Sequence, residues 1–351
     1  MKVGILTFHR AVNYGAVLQA YALQYKIESL GHNAEIIDYR CKKVEDDVSP
    51  LFGFRNNEKF VAALKKFIFR TKKNSSFDHF FRKYIHLSER VESGEELAAL
   101  NGKYDCFFAG SDQIWNCGCS GNDTTYFLDF VVDGKKKNAY AASFGTDKLF
   151  PEDKFDYSTL LSDFNKISVR EKSAISIIKE ESGRNSEVTL DPTLLLTKEE
   201  WKKVVSSRPI KEKYIFVYTI REQKDIAEYT RRLAEKTGYK VINAKSSVEF
   251  FGKCSPSDFL SWIYYSEYFI TNSFHGTVFS LIFEKQFAIE LDNGKNVNNR
   301  SKELLELVGV DRTLSLENIE AIDNVVNYAE VKKKLKEVGE DSVGFINSVL
   351  C

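Results

Sequence analysis

The sequence lacks a net charge of either sign, because its 50 basic and 50 acidic residues balance. Whole-chain charge therefore gives no reason to expect a nucleic-acid partner, although a local basic surface is compatible with this balance. The sequence also lacks a run of about 18 apolar residues, the length that a membrane-spanning helix needs. Its first residues hold no apolar core long enough for a signal peptide, so we expect a cytoplasmic protein.

Metal sites and disulfides are not indicated either. Six cysteines are present, but a cytoplasmic location disfavours disulfides. Cys117 and Cys119 are separated by one residue, which is not the spacing of a zinc site, and no second pair completes one. We therefore expect ordinary thiols and no metal. The chain also has no GxGxxG loop, so a dinucleotide cofactor is not indicated.

The alternation of strand and helix patterns predicts an α/β protein. A chain of 351 residues with 43% hydrophobic residues is long enough for about two domains. A β-rich run at 3–8, helical periodicity at 16–30 and a second β-rich run at 34–39 predict a βαβ unit with parallel strands. The same alternation recurs at 104–181 and at 213–291. We predict two Rossmann-like domains that face each other across a cleft.

The predicted domains are residues 1–205 and residues 206–351. Within the first, residues 41–100 are rich in Lys, Phe and Arg, and we interpret them as a helical insertion with helices near 58–71 and 76–84. The four-three spacing of apolar residues in the tail predicts a C-terminal helix that packs back across the domains.

Polar loops at the carboxyl ends of strands are the candidate binding sites, because ligands of open α/β sheets bind there. Gly15 permits close backbone approach, and a helix N-terminus beside Asn13 suits an anion or a sugar hydroxyl. The alternative is that Asn13 only caps the helix. In the loop after residue 109, Ser111 is a candidate contact, and Asp112 is able to orient a hydroxyl or a histidine, or to cap a helix.

Arg170 and His275 are the further candidates for chemistry. Arg170 ends a strand, where its guanidinium is able to bind a carboxylate or a phosphate, and the alternative is a salt bridge to an acid such as Glu171. His275 follows an apolar strand and starts a helix. An imidazole moves protons near neutral pH, and a helix N-terminus attracts phosphate. The alternative for His275 is a structural histidine bonded to a backbone carbonyl. We interpret Asp191 as a structural cap.

Five segments together resemble the polysaccharide pyruvyl transferase family. Each is weakly specific alone, but they occur in order over nearly the whole chain, from about residue 2 to about residue 310. The segments that carry the resemblance are 13–20, 110–115, 168–171, 190–193 and 272–277.

The resemblance implies a GT-B-like fold whose first domain holds the acceptor and whose second holds the donor. It implies transfer of pyruvate from phosphoenolpyruvate to two hydroxyls of one sugar, which forms a cyclic ketal and releases phosphate, in the synthesis of bacterial surface polysaccharide. The partners would be phosphoenolpyruvate as donor substrate and a glycan acceptor, including a lipid-linked oligosaccharide, with no cofactor. By family analogy, His275, Asp112 and Arg170 are catalytic.

The sequence departs from the family pattern at Ser273, where some members carry an arginine two residues before the histidine. A cation for the donor must then come from elsewhere, and Arg300, Arg221 and Lys245 are candidates near strand ends. The substrate-binding candidates are Asn13, Gly15, Ser111, Ser273, Arg300, Arg221 and Lys245.

Alternatives remain open for the function and for one segment. A nucleotide-sugar glycosyltransferase would share the architecture, and a non-catalytic glycan-binding protein could have kept the fold. The Phe- and Lys-rich segment 50–85 forms either an amphipathic helix packed on its own domain or a peripheral contact with the inner face of the membrane.

Overall fold

The computed structural model describes residues 1–56, 58–221, 224–291 and 299–351. The chain forms two compact units, each built around a parallel sheet. Unit 1 comprises Met1–Leu196 with Val338–Cys351, and unit 2 comprises Thr197–Glu337. Two Rossmann-like domains, predicted from the alternation of strands and helices, are thereby confirmed.

The sheet of unit 1 has seven parallel strands within the described residues. They are β1 Lys2–Leu6, β2 Asn33–Tyr39, β3 Leu87–Val91, β4 Cys106–Ala109, β5 Lys137–Ala142, β6 Lys166–Val169 and β7 Glu187–Val188. Their order is β3-β2-β1-β4-β5-β6-β7, so the chain leaves β1 in one direction for β2 and returns on its other side with β4. The central strands β1, β4 and β5 are almost wholly buried, as expected when helices cover both faces of a parallel sheet.

Helices pack on both faces of this sheet. They are α1 Tyr14–Ser29, α2 Lys42–Val48, α3 Phe52–Arg55, α4 Phe60–Tyr84, α5 Gly94–Ala99, α6 Cys117–Ser120, α7 Tyr157–Ser162 and α8 Lys172–Ser182. Helix α1 ends just before Gly31, whose φ of 89° suits the left-handed turn that terminates many helices. In the core of unit 1, Trp115 stacks on Phe127 with ring centroids 5.3 Å apart, which fills the core with aromatic volume.

The inserted segment 41–100 differs from its prediction in two respects. The helices predicted near 58–71 and 76–84 form one continuous helix, α4. The segment also contains an edge strand, β3, which sequence analysis missed. Only Ser88 and Val91 of this strand are buried, so its sequence carries little apolar signal and pairing with β2 defines it.

Unit 2 has four parallel strands within its described residues, in the order β11-β10-β8-β9. The strands are β8 Tyr214–Tyr218, β9 Lys240–Asn243, β10 Tyr268–Thr271 and β11 Gln286–Ile289. The helices are α9 Lys198–Lys202, α10 Lys224–Thr237, α11 Val248–Gly252, α12 Pro256–Tyr265, α13 Phe274–Ile282 and α14 Asn299–Val308.

The last helix, α15 Tyr328–Leu350, contributes residues to both units. In unit 1, the Ser342 hydroxyl accepts a hydrogen bond from Leu190 N at 3.0 Å, and the Phe345 ring lies 6.1 Å from that of Tyr140. Among the helices of the described ranges, none has both the length and the apolar character needed to cross a membrane.

Candidate functional site

A tight turn after β4 fixes the position of Asp112. Gly110 has a φ of 113°, and a Cβ there would lie 2.4 Å from Tyr140 O, so the turn requires glycine. Ser111 is fully buried, and its hydroxyl donates to Ala141 O at 2.9 Å. The carbonyl of Asp112 accepts from Ser143 N at 3.0 Å. The backbone around Asp112 is therefore tied to β5 from both sides.

Arg170 lies between two carboxylates at this edge of the sheet. Its Nη1 donates to Asp191 Oδ2 at 2.7 Å, and its Nη2 lies 3.4 Å from Asp112 Oδ1. Burial lowers the pKa of Arg170, but Asp191, Asp112 and Glu171 outweigh it and raise that pKa above its ordinary value. Arg170 and Asp191 are buried side chains, whereas Asp112 is 17% exposed. Asp112 is thus the member of the group that faces solvent.

Asp191 and Glu171 hold the neighbouring loops. Asp191 Oδ1 accepts from Thr193 N at 3.0 Å, which caps a 3₁₀ helix, as the sequence predicts. Glu171 was considered as the partner of Arg170, but its Oε1 accepts from Ser143 Oγ at 2.7 Å and from Phe144 N at 3.2 Å. The acid adjacent in sequence thus supports the loop after β5, while a distant one binds the arginine.

The start of α1 is joined to the Asp112 turn. Asn13 Oδ1 accepts from Gly15 N at 2.9 Å, so Asn13 is the N-cap of α1 while remaining exposed. The Gln19 amide donates to Thr7 Oγ1 at 2.8 Å, and this hydroxyl donates to Ser111 O at 2.8 Å. Gln19 and Thr7 were not predicted as contact residues, because nothing in the sequence indicates that Thr7 bonds to Ser111, 104 positions away.

In unit 2, the turn between β10 and α13 places His275 in the first turn of a helix. Ser273 is the N-cap, and its hydroxyl accepts from Gly276 N at 3.3 Å. A Cβ on Gly276 would lie 2.5 Å from Thr271 Oγ1, so glycine lets the helix approach the end of β10. Thr271 Oγ1 in turn accepts from Ser273 N at 3.0 Å. Ser273 is predicted to bind substrate, and in this structure its hydroxyl caps the N-terminus of α13.

Arg300 lies next to the histidine segment. Its guanidinium carbon is 5.2 Å from the centre of the Phe274 ring, and that ring is 5.1 Å from the ring of His275. His275 is 9% exposed. Of the three cations proposed to replace an arginine at Ser273, Arg300 is thus the one stacked beside the histidine segment.

The other two cations have different surroundings. The side chain of Asn272 bridges to the loop that carries Arg221, accepting from Ile220 N at 2.8 Å and donating to Arg221 O at 3.1 Å. Lys245 follows β9 and lines a cavity of about 810 Å³ between α10 and the ends of β8 and β9. Arg221 is therefore connected to the His275 loop through its backbone, and Lys245 belongs to a separate cavity.

The predicted site residues fall into two groups, one in each unit. In both groups they lie in loops at the carboxyl ends of parallel strands, as in other open α/β sheets. Among the described residues, no cluster of His, Cys, Asp or Glu is arranged to hold a metal ion. Unit 1 holds Asn13, Gly15, Ser111, Asp112 and Arg170, and unit 2 holds Arg221, Lys245, Ser273, His275 and Arg300.

These features define an α/β protein of the GT-B-like fold class, with strand-end polar loops in two Rossmann-like domains. Residues 13–289 match the model of the family described as polysaccharide pyruvyl transferase. Because the match covers most of the chain, the protein belongs to the polysaccharide pyruvyl transferase family. The family supports transfer of a pyruvyl group in polysaccharide metabolism, and thus an enzyme with a glycan acceptor.

Solved structures are similar to the chain at low sequence identity. A putative UDP-N-acetylglucosamine 2-epimerase from Listeria monocytogenes has a TM-score of 0.51 at 12% identity, over 95% of this chain and 90% of its own. The S. aureus MnaA–UDP structure has a TM-score of 0.48 at 13% identity, over 99% and 96%. The E. coli ADP-heptose LPS heptosyltransferase II has 0.39 at 10%, over 97% and 99%. No curated protein sequence matches the chain significantly.

Proposed function

We propose that the protein transfers pyruvate from phosphoenolpyruvate to two hydroxyls of one glycan sugar, forming a cyclic ketal and releasing phosphate. The observation that carries the proposal is the position of His275 in the first turn of α13, with Arg300 stacked beside its neighbour Phe274. The acceptor is a precursor of bacterial surface polysaccharide, including lipid-linked oligosaccharides. The reaction takes place in the cytoplasm, at the inner face of the membrane.

The donor is supported by charge. Phosphoenolpyruvate carries a carboxylate and a phosphate, which helix N-termini and arginine forks bind well. The N-terminus of α13 carries the positive end of the helix dipole, and Arg300 at the start of α14 supplies a cation in the absence of an arginine at position 273. Arg300 thus replaces the missing arginine of the family, and Arg221 is a second, weaker candidate.

The chemistry needs a proton donor and a proton acceptor. A proton added to the methylene carbon of phosphoenolpyruvate develops positive charge at C2, to which one sugar hydroxyl adds. Phosphate then leaves, and the second hydroxyl closes the ring; the two hydroxyl protons balance the proton taken up and the one carried by phosphate. An imidazole performs both transfers near neutral pH, and we assign them to His275.

Asp112 is assigned to the acceptor sugar. Its carboxylate is partly exposed at the edge of unit 1 and accepts hydrogen bonds from hydroxyl groups well. Because Arg170 is buried between Asp112 and Asp191, we assign it to positioning Asp112 rather than to binding the donor. The exposed amide of Asn13 is the further acceptor contact in this unit.

The test is phosphate release from phosphoenolpyruvate in the presence of candidate lipid-linked sugars. Replacement His275→Ala is expected to lower turnover by a factor of about a hundred or more, with the circular dichroism spectrum unchanged. The matched control is His86→Ala, because the His86 imidazole is exposed and lies on Glu28, away from the candidate site residues of unit 2. Near-normal turnover of His275→Ala would remove the main support for the proposal.

A separate measurement addresses the donor site. Arg300→Gln is expected to raise KM for phosphoenolpyruvate about tenfold or more, since a charge-assisted contact is lost. Arg184→Gln, in unit 1, serves as control. An unchanged KM would exclude Arg300 from donor binding.

The nucleotide-sugar glycosyltransferase alternative keeps some support from the fold, since the similar Listeria monocytogenes structure is that of a putative UDP-N-acetylglucosamine 2-epimerase. Calorimetry with UDP and with phosphoenolpyruvate separates the two functions. Tighter binding of UDP would favour the glycosyltransferase and contradict our proposal.

A further inference from the structure

Helix α3 and the first half of α4 form an exposed apolar surface on unit 1. Among its side chains, Phe60 is 70% exposed, Val61 64% and Ile68 54%. Large apolar side chains that are exposed together mark an interaction surface more often than a random feature of a soluble domain. We call this the α3–α4 surface and define it by the exposed apolar residues of these two helices and the residue before α3: Leu51, Phe54, Phe60, Val61, Leu64, Ile68 and Phe69.

The two halves of α4 have different environments. The second half is anchored in the core, where Phe77 packs 5.1 Å from the Tyr14 ring and Phe80 and Phe81 are also buried. In the first half, the only buried residue is Ala63, which packs on Gly53 of α3. An amphipathic helix packed on its own domain therefore accounts for the second half but leaves the apolar residues of the first half uncovered.

The charge of α4 is strongly one-sided. The helix contains seven basic residues and one acidic residue, Asp78, a net charge of +6 in a chain whose overall charge is zero. Lys65 and Lys72 share one row of the helix with Val61 and Ile68, at spacings of three and four residues. Neither lysine forms an ion pair with any residue that the structure describes. Basic charge thus lies alongside the exposed apolar side chains.

We propose that the α3–α4 surface docks on an anionic lipid bilayer. Phenylalanine and aliphatic side chains insert at the boundary of headgroups and acyl chains, while flanking lysines bind lipid phosphate. A second copy of the chain is a poorer occupant, because two α4 helices would bring charges of the same sign together. A nucleic acid would match the charge but not the apolar row. The inference depends on this surface alone and not on the identity of the donor.

The test is co-sedimentation of the full chain with vesicles of phosphatidylglycerol and phosphatidylcholine, and with vesicles of phosphatidylcholine alone. Binding is expected to the anionic vesicles and to weaken at high salt. The variant Lys65→Glu with Lys72→Glu should lower the partition coefficient about thirtyfold or more. The variant Phe60→Ser with Ile68→Ser should lower it about tenfold or more.

The controls carry changes of the same kind, Lys to Glu and apolar residue to Ser, at exposed positions outside the surface. They are Lys211→Glu with Lys333→Glu for charge and Val132→Ser with Val248→Ser for apolar area. Both controls should bind vesicles like the unchanged chain. All variants should retain pyruvyl transfer to a water-soluble acceptor, so failure of docking and failure of the proposed reaction are distinguishable.

Three outcomes would overturn the inference. The first is a chain that stays in the supernatant with anionic vesicles. The second is a surface variant that binds as well as its control. The third is that the surface variants change the oligomeric state on gel filtration, or change binding to a DNA duplex, but leave vesicle binding unchanged.

Discussion

At the scale of single residues, Gly110 controls the turn that carries Asp112. We expect Gly110→Ala to lower the free energy of unfolding by about 2–4 kcal/mol, because the added methyl group meets Tyr140 O and the positive φ is strained. The measurement is urea denaturation followed by circular dichroism. Turnover should fall as well, since Asp112 would move with the turn.

The matched control for that change is Gly102→Ala, where an added Cβ has nothing within 4 Å. This variant should keep the stability of the unchanged chain within about 0.5 kcal/mol. Equal stability of the Gly110 and Gly102 variants would mean that the turn is more adaptable than its geometry indicates.

Lys285 gives unit 2 a specific pH dependence. Burial lowers its pKa from 10.5 to about 8, while its Nζ donates to Tyr264 O at 3.0 Å. Between these two values the unfolded chain binds more protons than the folded chain, so stability rises with pH. From pH 7.5 to 9.5 the unchanged chain should gain about 2 kcal/mol relative to Lys285→Met.

This pH effect is read from urea denaturation at the two pH values. Lys211→Met, at an exposed position, should show the same pH slope as the unchanged chain. If Lys285→Met also shows the pH slope of the unchanged chain, Lys285 keeps an ordinary pKa in the folded state.

The residues of the candidate site could be found from sequence, but their contacts could not. Strand-end position made Asp112, Arg170 and His275 candidates, because each parallel sheet brings such loops to one of its edges, and the family resemblance added their roles. That Arg170 pairs with Asp191 rather than with adjacent Glu171 depends on where β6 and the following loops end in space. Sequence spacing does not encode that distance.

At the scale of elements, one of the contacts that hold α15 on the rest of unit 1 is made by a buried hydroxyl. Ser342 Oγ accepts from Leu190 N, so Ser342→Ala leaves that N–H group without this partner. We expect a loss of about 1–2 kcal/mol in the free energy of unfolding, measured by urea denaturation. Ser348→Ala, which removes an exposed hydroxyl bonded within the helix, should cost much less, and equal losses would contradict the assigned role.

Elements with a strong apolar period were predictable, and polar ones were not. The periodicity of α1 and the apolar run of β1 gave their positions to within a few residues, and the apolar spacing in the tail predicted α15. The edge strand β3 was missed because its exposed residues are polar, and its strand conformation comes from pairing with β2. Local sequence carries little information on such a strand.

At the scale of the whole molecule, all six cysteines are free thiols. Cys119 and Cys351 are exposed, and the other four, Cys41, Cys106, Cys117 and Cys254, are buried. A thiol reagent such as DTNB should therefore react rapidly with two thiols in the native protein and with six in denaturant. Fewer than six in denaturant, without added reductant, would reveal a disulfide and contradict the structure.

The two α/β units were predictable at this scale because strand and helix patterns alternate twice along the chain. The order of the strands in each sheet was not predictable, because the alternation indicates parallel strands but does not indicate which strands are neighbours. The assignment of acceptor and donor to the two domains stays a prediction.

The strand order β3-β2-β1-β4 places the inserted segment of unit 1 at the margin of the sheet and the candidate-site turns at its centre. The long segment between β2 and β3 enters and leaves at the outer margin of the sheet, whereas the turns bearing Asn13 and Asp112 emerge beside the central strands β1 and β4. Changes in α3 or in the first half of α4, where Ala63 is the only buried residue of the helix, require no shift of those central turns, whereas the second half of α4 packs on Tyr14 beside Asn13. The architecture thus allows the exposed part of this segment to diverge in length and charge while the turns that carry the candidate site keep their positions.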